Sequence, residues 1–188
     1  MIISLNGDHG AGKSTMAKEL EKELGFKRYY MGKIFRDLAK ERGLTLEDLH
    51  VYIMDNPDVD RMVDDYLIDL AKKEDDFIVE SRTAWHFIPK SLKIYLKIDD
   101  GEAAKRIFSE LQKHNERNEG KDLDTIEKVR DSIIKRKEMD DERYMKFYGI
   151  SIRNDKDYDL VLDTTHLSIE ESFQKVMEFI KSRNEQFD

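Results

Sequence analysis

One window constrains this chain more than any other: Gly7-Asp8-His9-Gly10-Ala11-Gly12-Lys13-Ser14, with Thr15 following. It satisfies the phosphate-loop pattern G-x-x-x-x-G-K-[ST] at every fixed position. Met1 to Leu5, before it, reads as a short buried strand; Met16 to Leu24, after it, reads as a helix. In that context the glycines let the backbone curl, so that successive N–H groups point inward at a phosphate. The helix start adds unpaired N–H groups and the positive end of its dipole. Lys13 is placed to reach β- and γ-phosphates, and the Ser14 hydroxyl to ligate Mg²⁺. The expected ligand is therefore a nucleoside triphosphate with Mg²⁺. What happens to its γ-phosphate depends on the rest of the chain.

The 188 residues suit one domain with a sizeable core. Charged and apolar residues each make up 39%, and the net charge of −8 argues against a non-specific nucleic-acid binder. There is no cysteine, so disulfides and thiolate metal sites are excluded. No apolar run approaches the roughly 20 residues of a membrane span. The first strand runs directly into the loop, leaving no room for a signal peptide. The sequence reading is a cytoplasmic monomer without nucleic-acid or membrane partners.

Along the chain, Phe26 to Tyr30 reads as a second strand, and Ile34 to Arg42 as a helix ended by Gly43. Thr45 to Asp48 looks like the cap of a helix reaching about Met54, and Asp60 to Lys73 carries an apolar stripe. Phe77 to Glu80, Leu92 to Ile98 and Leu160 to Leu162 complete five strands. Gly101 to His114 and a long segment from Thr125 to Tyr148 read as helices, with a polar turn over Glu116 to Asp122. Ser168 caps a last helix. Strands alternating with helices predict an α/β fold, a five-stranded parallel sheet flanked by helices. Ligands then bind at the carboxyl ends of the strands.

Several side chains belong at that edge. Arg36 follows the second strand and Arg82 the third; an arginine fork holds a phosphate with two parallel hydrogen bonds. Arg136, Asp140 and Arg143 share a helix face and form a clamp for a ribose hydroxyl and a phosphate, or else a solvated salt-bridge ladder. Glu80, at a strand end, can hold Mg²⁺ through water or act as a base. Arg106, Arg117 and Arg130 are candidates for closing over phosphates. Trp85 and Phe87 read as packing, with stacking on a base as the alternative; Asp163 shapes the adenine end or caps a turn. The histidines show no metal spacing, and His9 occupies a variable loop position.

A phosphate-monoester acceptor is mostly dianionic near pH 7, since its second pKa is about 6. It needs cations rather than a strong base, and Lys13, Arg36 and Arg82 supply them. A hydroxyl acceptor needs a carboxylate. Lys27 to Met31 offers no Asp, which leaves Glu80 as the substitute. Two other readings stay open: a kinase of a small-molecule or nucleoside hydroxyl, and a nucleotide-dependent switch without an acceptor.

The chain resembles the nucleoside monophosphate kinases, and most of all the short cytidylate kinases of archaeal type. The carriers are the Gly7–Ser14 loop, Met31 to Arg36, Val79 to Arg82, Ala104 to Ile107, Glu142 to Tyr144, Tyr148 to Ile150 and Tyr158 to Thr164. The resemblance implies a single P-loop kinase domain: a core of residues 1–31, 74–109 and 149–188, acceptor-binding helices over 32–73 and a lid near 110–140. It implies transfer from ATP to CMP or dCMP with Mg²⁺. Gly32, Arg36, Arg82, Arg136, Asp140 and Arg143 would contact the acceptor. Three departures stand out: Tyr30-Met31 where relatives carry Ser, Thr or Asp, Ser81 where they carry Gly, and a longer segment around Lys113 to Asp124.

Overall fold

The computed structural model describes residues 1–113 and 123–184. Five parallel strands form one sheet in the order β2-β3-β1-β4-β5. They are β1 (Ile2–Gly7), β2 (Lys27–Tyr30), β3 (Phe77–Glu80), β4 (Leu92–Lys97) and β5 (Leu160–Asp163). β1 is buried throughout because it lies at the centre, paired with β3 (Leu5 opposite Glu80) and β4 (Gly7 opposite Leu96). The register brings Tyr30, Glu80 and Gly7 to one edge, the carboxyl ends of their strands.

The period-two alternation of the strands divides the core. Ile3, Leu5 and Ile78 face one side, against α1 (Lys13–Leu24), α6 (Asp100–Leu111), α7 (Ile126–Tyr148) and α8 (Ile169–Asn184). Ile2, Phe77 and Val79 face the other, against α2 (Met31–Glu41), α4 (Asp58–Lys73) and α5 (Ala84–Phe87). α3 (Leu46–Asp55) joins α2 and α4 in a satellite core of Ala39, Leu49, Ile53 and Val59. Its N-terminus is a capping box: Thr45 Oγ1 accepts from the Asp48 N–H at 3.1 Å and the Asp48 carboxylate accepts from the Thr45 N–H at 3.2 Å. α7 is anchored in the main core by Val129 and Ile133, which are 1% and 4% exposed.

Several boundaries differ from the sequence reading. α1 begins at Lys13 rather than Met16, since its first helical bond runs from the Met16 N–H to the Gly12 carbonyl. The loop lysine and serine are thus themselves the helix N-terminus, whose N–H groups lack helical partners. α2 begins at Met31 rather than Ile34, directly after β2. The short α5 was not anticipated; the Trp85 indole N–H pins it to the Arg82 carbonyl at 2.9 Å. The turn expected over Glu116 to Asp122 lies outside the described residues. No helix among the described residues is long and apolar enough to cross a membrane.

Candidate active site

The loop is shaped first by its neighbours in the sheet. Gly7 has φ +149°, and a Cβ there would stand 2.3 Å from the Leu96 carbonyl oxygen, so only glycine lets β1 turn against β4. The Asp8 carboxylate points into the protein: it accepts from the Tyr95 hydroxyl at 3.0 Å and the Ile98 N–H at 3.4 Å, with Lys137 and Arg153 nearby. Asp8 therefore fixes the loop from behind and presents only its backbone to a ligand. Lys13 Nζ donates to the Gly7 carbonyl at 2.7 Å and the Asp8 carbonyl at 2.5 Å. The lysine is held over the loop it is expected to serve.

One cavity of about 350 Å³ opens beside the loop and runs into the helices beyond it. Its lining includes Gly10, Gly12, Lys13, Ser14 and Thr15 from the loop, Glu80 and Arg82 from the end of β3, and Gly32 and Arg36 from α2. Arg136, Asp140 and Arg143 come from α7. The proposed clamp residues thus meet the loop in a single concavity. Arg36 lies over the Tyr30 ring at 5.5 Å and donates to its hydroxyl. Gly32 makes room for that ring, since a Cβ would stand 2.6 Å from Tyr30 Cε2. The Tyr30 departure and Gly32 form one packing unit.

At the loop end, Ser14 Oγ donates to Glu80 Oε2 at 2.8 Å, and Arg28 Nε donates to Glu80 Oε1 at 2.6 Å. Both carboxylate oxygens are therefore engaged. Arg82 Nη1 donates to the Gly7 carbonyl, and its Nη2 lies 2.9 Å from His9 Nε2. A guanidinium can only donate, so this ring nitrogen accepts and His9 is neutral. Burial and the charges of Arg136 and Arg82 agree, holding His9 well below the usual histidine range.

Asp140, 1% exposed, is the centre of the inner wall. Arg82 Nε stands 3.4 Å from its Oδ2, and Arg143 Nη2 donates to its Oδ1 at 3.1 Å. Burial alone raises this carboxyl, but the Arg82 and Arg143 guanidiniums outweigh it and hold Asp140 well below the usual carboxylate range. Arg143 is itself buried. It lies 3.0 Å from His50 Nδ1, donates to the Tyr144 hydroxyl at 2.8 Å, and pairs with Asp60 at 3.4 Å. It builds the wall of the clamp more than it reaches out of it. Burial and the Arg136 charge push His50 down to about 3, so it too is a neutral acceptor.

Other expectations sort cleanly. Arg106 donates to the Thr164 and Thr165 carbonyls at 2.9 and 3.3 Å and lines a second cavity of about 490 Å³. That cavity shares Gly10, Gly12, Thr15 and Glu110 with the first. Arg130 is exposed and lines neither cavity. Arg117 lies outside the described residues. Asp163 caps its turn, accepting from the Thr165 N–H and hydroxyl at 2.9 and 2.6 Å. Trp85 packs against Tyr158, as expected of a packing residue. His9, His50, Asp60 and Asp64 were missed as wall residues: the loop, α3 and α4 that carry them are joined by no local pattern.

A family model described as an AAA domain matches residues 3–135. The cytidylate kinase of Thermococcus kodakarensis is 35% identical over 167 residues, covering 88% of this chain and 80% of its own. That of Archaeoglobus fulgidus is 32% identical over 189 residues, covering 100% of this chain and 99% of its own. Among solved structures, shikimate kinase from Bacteroides thetaiotaomicron superposes with a TM-score of 0.63 at 16% identity, covering 96% of this chain and 98% of that one, which shows a shared fold. Loop, sheet order and near-complete alignment with curated relatives agree, and the chain belongs to the cytidylate kinase family of P-loop kinases.

Proposed function

We infer that this enzyme transfers the γ-phosphoryl group of ATP to CMP or dCMP, giving ADP and CDP or dCDP. The observation that carries the reading is the single cavity in which the loop lysine and the arginines of β3, α2 and α7 meet. Phosphoryl transfer between two anions asks for positioning and charge neutralisation. Lys13 and the N-terminus of α1 serve the donor triphosphate. Arg36 and Arg82 serve the acceptor phosphate, with Arg136 along the wall. The second cavity, walled by Arg106 and Thr164 on the far side of the loop, suits the donor's adenosine.

The state of Glu80 favours a phosphate acceptor over a hydroxyl one. A general base must lie within hydrogen-bond reach of the hydroxyl it deprotonates. Both oxygens of Glu80 already accept hydrogen bonds, from Arg28 and Ser14. A buried arginine clamp facing the loop also has no use in a nucleotide switch. Ser14 and Glu80 suit Mg²⁺: they are hard oxygen donors meeting beside the loop lysine. Among the described residues no group of three His, Cys, Asp or Glu side chains could hold a metal. That fits an ion which takes one or two protein ligands and completes its shell with water and phosphates. When bound, Mg²⁺ would neutralise charge on the donor phosphates.

The test is ADP release from ATP and Mg²⁺ with CMP, dCMP, UMP, AMP, GMP or no acceptor. Stimulation by CMP or dCMP above the rest is expected. Equal ADP release with and without every monophosphate would overturn the reading.

A further inference from the structure

Two carboxylates sit one turn apart on the inner face of α4, and the protein treats them differently. Asp64 has a donor on each oxygen: Thr83 Oγ1 donates to its Oδ1 at 2.7 Å and the Tyr148 hydroxyl donates to its Oδ2. Asp60 is 2% exposed, yet its Oδ2 has no hydrogen-bond donor. Arg143 Nε lies 3.4 Å from that oxygen without making a hydrogen bond, and it too lacks a hydrogen-bond partner. A buried carboxylate oxygen whose paired cation stands 3.4 Å away without a hydrogen bond is costly, and native structures rarely keep one without a reason.

Its position suggests the reason. A file of alternating charges leads inward from the loop, from Arg82 to Asp140 to Arg143 to Asp60. Arg82 touches the loop where the acceptor phosphate would lie; Asp60 is the far end. Met31, Phe35, Leu46 and Val63 line the same cavity and offer apolar walls to a flat ring. An acceptor nucleotide with its phosphate at Arg82 would lay its base at that end, where Asp60 offers it an acceptor. Cytosine carries an amino donor where uracil carries a carbonyl. A carboxylate welcomes the first and repels the second.

We propose that the Asp60 carboxylate accepts a hydrogen bond from the exocyclic amino group of the acceptor base and so sets cytosine above uracil. This rests on reading the cavity as the acceptor site. Sites built to hydrogen-bond a polar group discriminate strongly against a substrate that lacks it, because the buried partner is then left unpaired.

The experiment measures kcat/KM for CMP and UMP, at saturating ATP and Mg²⁺, in the wild type and in Asp60→Asn. The asparagine keeps the shape but can turn its amide to donate to a carbonyl. The expected result is a fall of at least about tenfold in the CMP-to-UMP ratio, with the KM for ATP unchanged. An unchanged ratio in a folded variant overturns the proposal. A second arm needs no mutation: the wild type is given the 2-pyrimidinone riboside monophosphate, which lacks the amino group. It should be used no better than UMP, and use as efficient as that of CMP overturns the proposal even if the variant fails to fold. A wild type that phosphorylates no monophosphate overturns the reading of the cavity itself, an outcome distinct from an unchanged ratio.

Discussion

Charge at single side chains decides most of what this site can do. Lys13 is held by the loop's own carbonyls, and replacing it with Ala should abolish transfer, read as loss of acceptor-dependent ADP release. Arg82→Ala removes a cation and also uncouples the Gly7 carbonyl, His9 and Asp140. It should lower kcat/KM for CMP by roughly 10²–10³ while ATP affinity changes little; calorimetric titration of ATP separates the two. Asp60 offers a pH test. Burial lifts its carboxyl from 3.8 to about 6, against the Arg143 charge and with help from Asp64 and Asp140; neutral His50 adds no charge to this wall. A native pKa above the unfolded one means that the folded state holds the extra proton. The stability tied to this group is complete below about pH 4 and is lost as pH rises through about 6. A shift near two units corresponds to ~3 kcal/mol as an upper figure. The Tm of Asp60→Asn relative to wild type should therefore rise between about pH 4.5 and about pH 7.5. A difference that stays flat or falls would place the titration elsewhere.

At the scale of elements, the sequence was most legible where chemistry depends on local spacing. The loop could be read because its pattern is contiguous, and Arg136, Asp140 and Arg143 because helical periodicity puts them on one face. Arg36 and Arg82 followed from the rule that ligands meet strand ends. His50 on α3, Asp60 on α4 and His9 in the loop were not legible as one wall. Only the packing of α3 and α4 against α7 brings them together, and no window of sequence contains that contact. Arg28 was missed for the same reason: its partner Glu80 lies across on β3, two residues beyond the Ile78 that stands opposite it. The capping box of α3 was legible, and it bears on this wall because α3 carries His50. Thr45→Ala removes the side-chain half of the box and should cost about 1 kcal/mol. Thermal unfolding would show it as a modest drop in Tm, with KM for the acceptor affected more than KM for ATP.

In the whole molecule, two cavities share one loop. The first runs from the loop toward α4, the second from the loop toward the Thr164 turn and α8, and both include Gly10, Gly12 and Thr15. A sheet with β1 at its centre forces this arrangement, because the loop leaves the carboxyl end of the middle strand and has a face on either side. If donor and acceptor occupy these two spaces, their phosphates must converge at Lys13. One molecule carrying adenosine and cytidine at opposite ends of a polyphosphate chain should then fill both cavities at once. Its second end would bind at the high effective concentration fixed by the first. It should raise the Tm more than saturating ATP or CMP alone does, through its tighter binding to the folded state. It should also compete with each substrate in initial-rate kinetics. Competition against ATP alone, with no effect on the apparent affinity for CMP, would mean that the cavity toward α4 does not hold the acceptor, however well its arginines are placed.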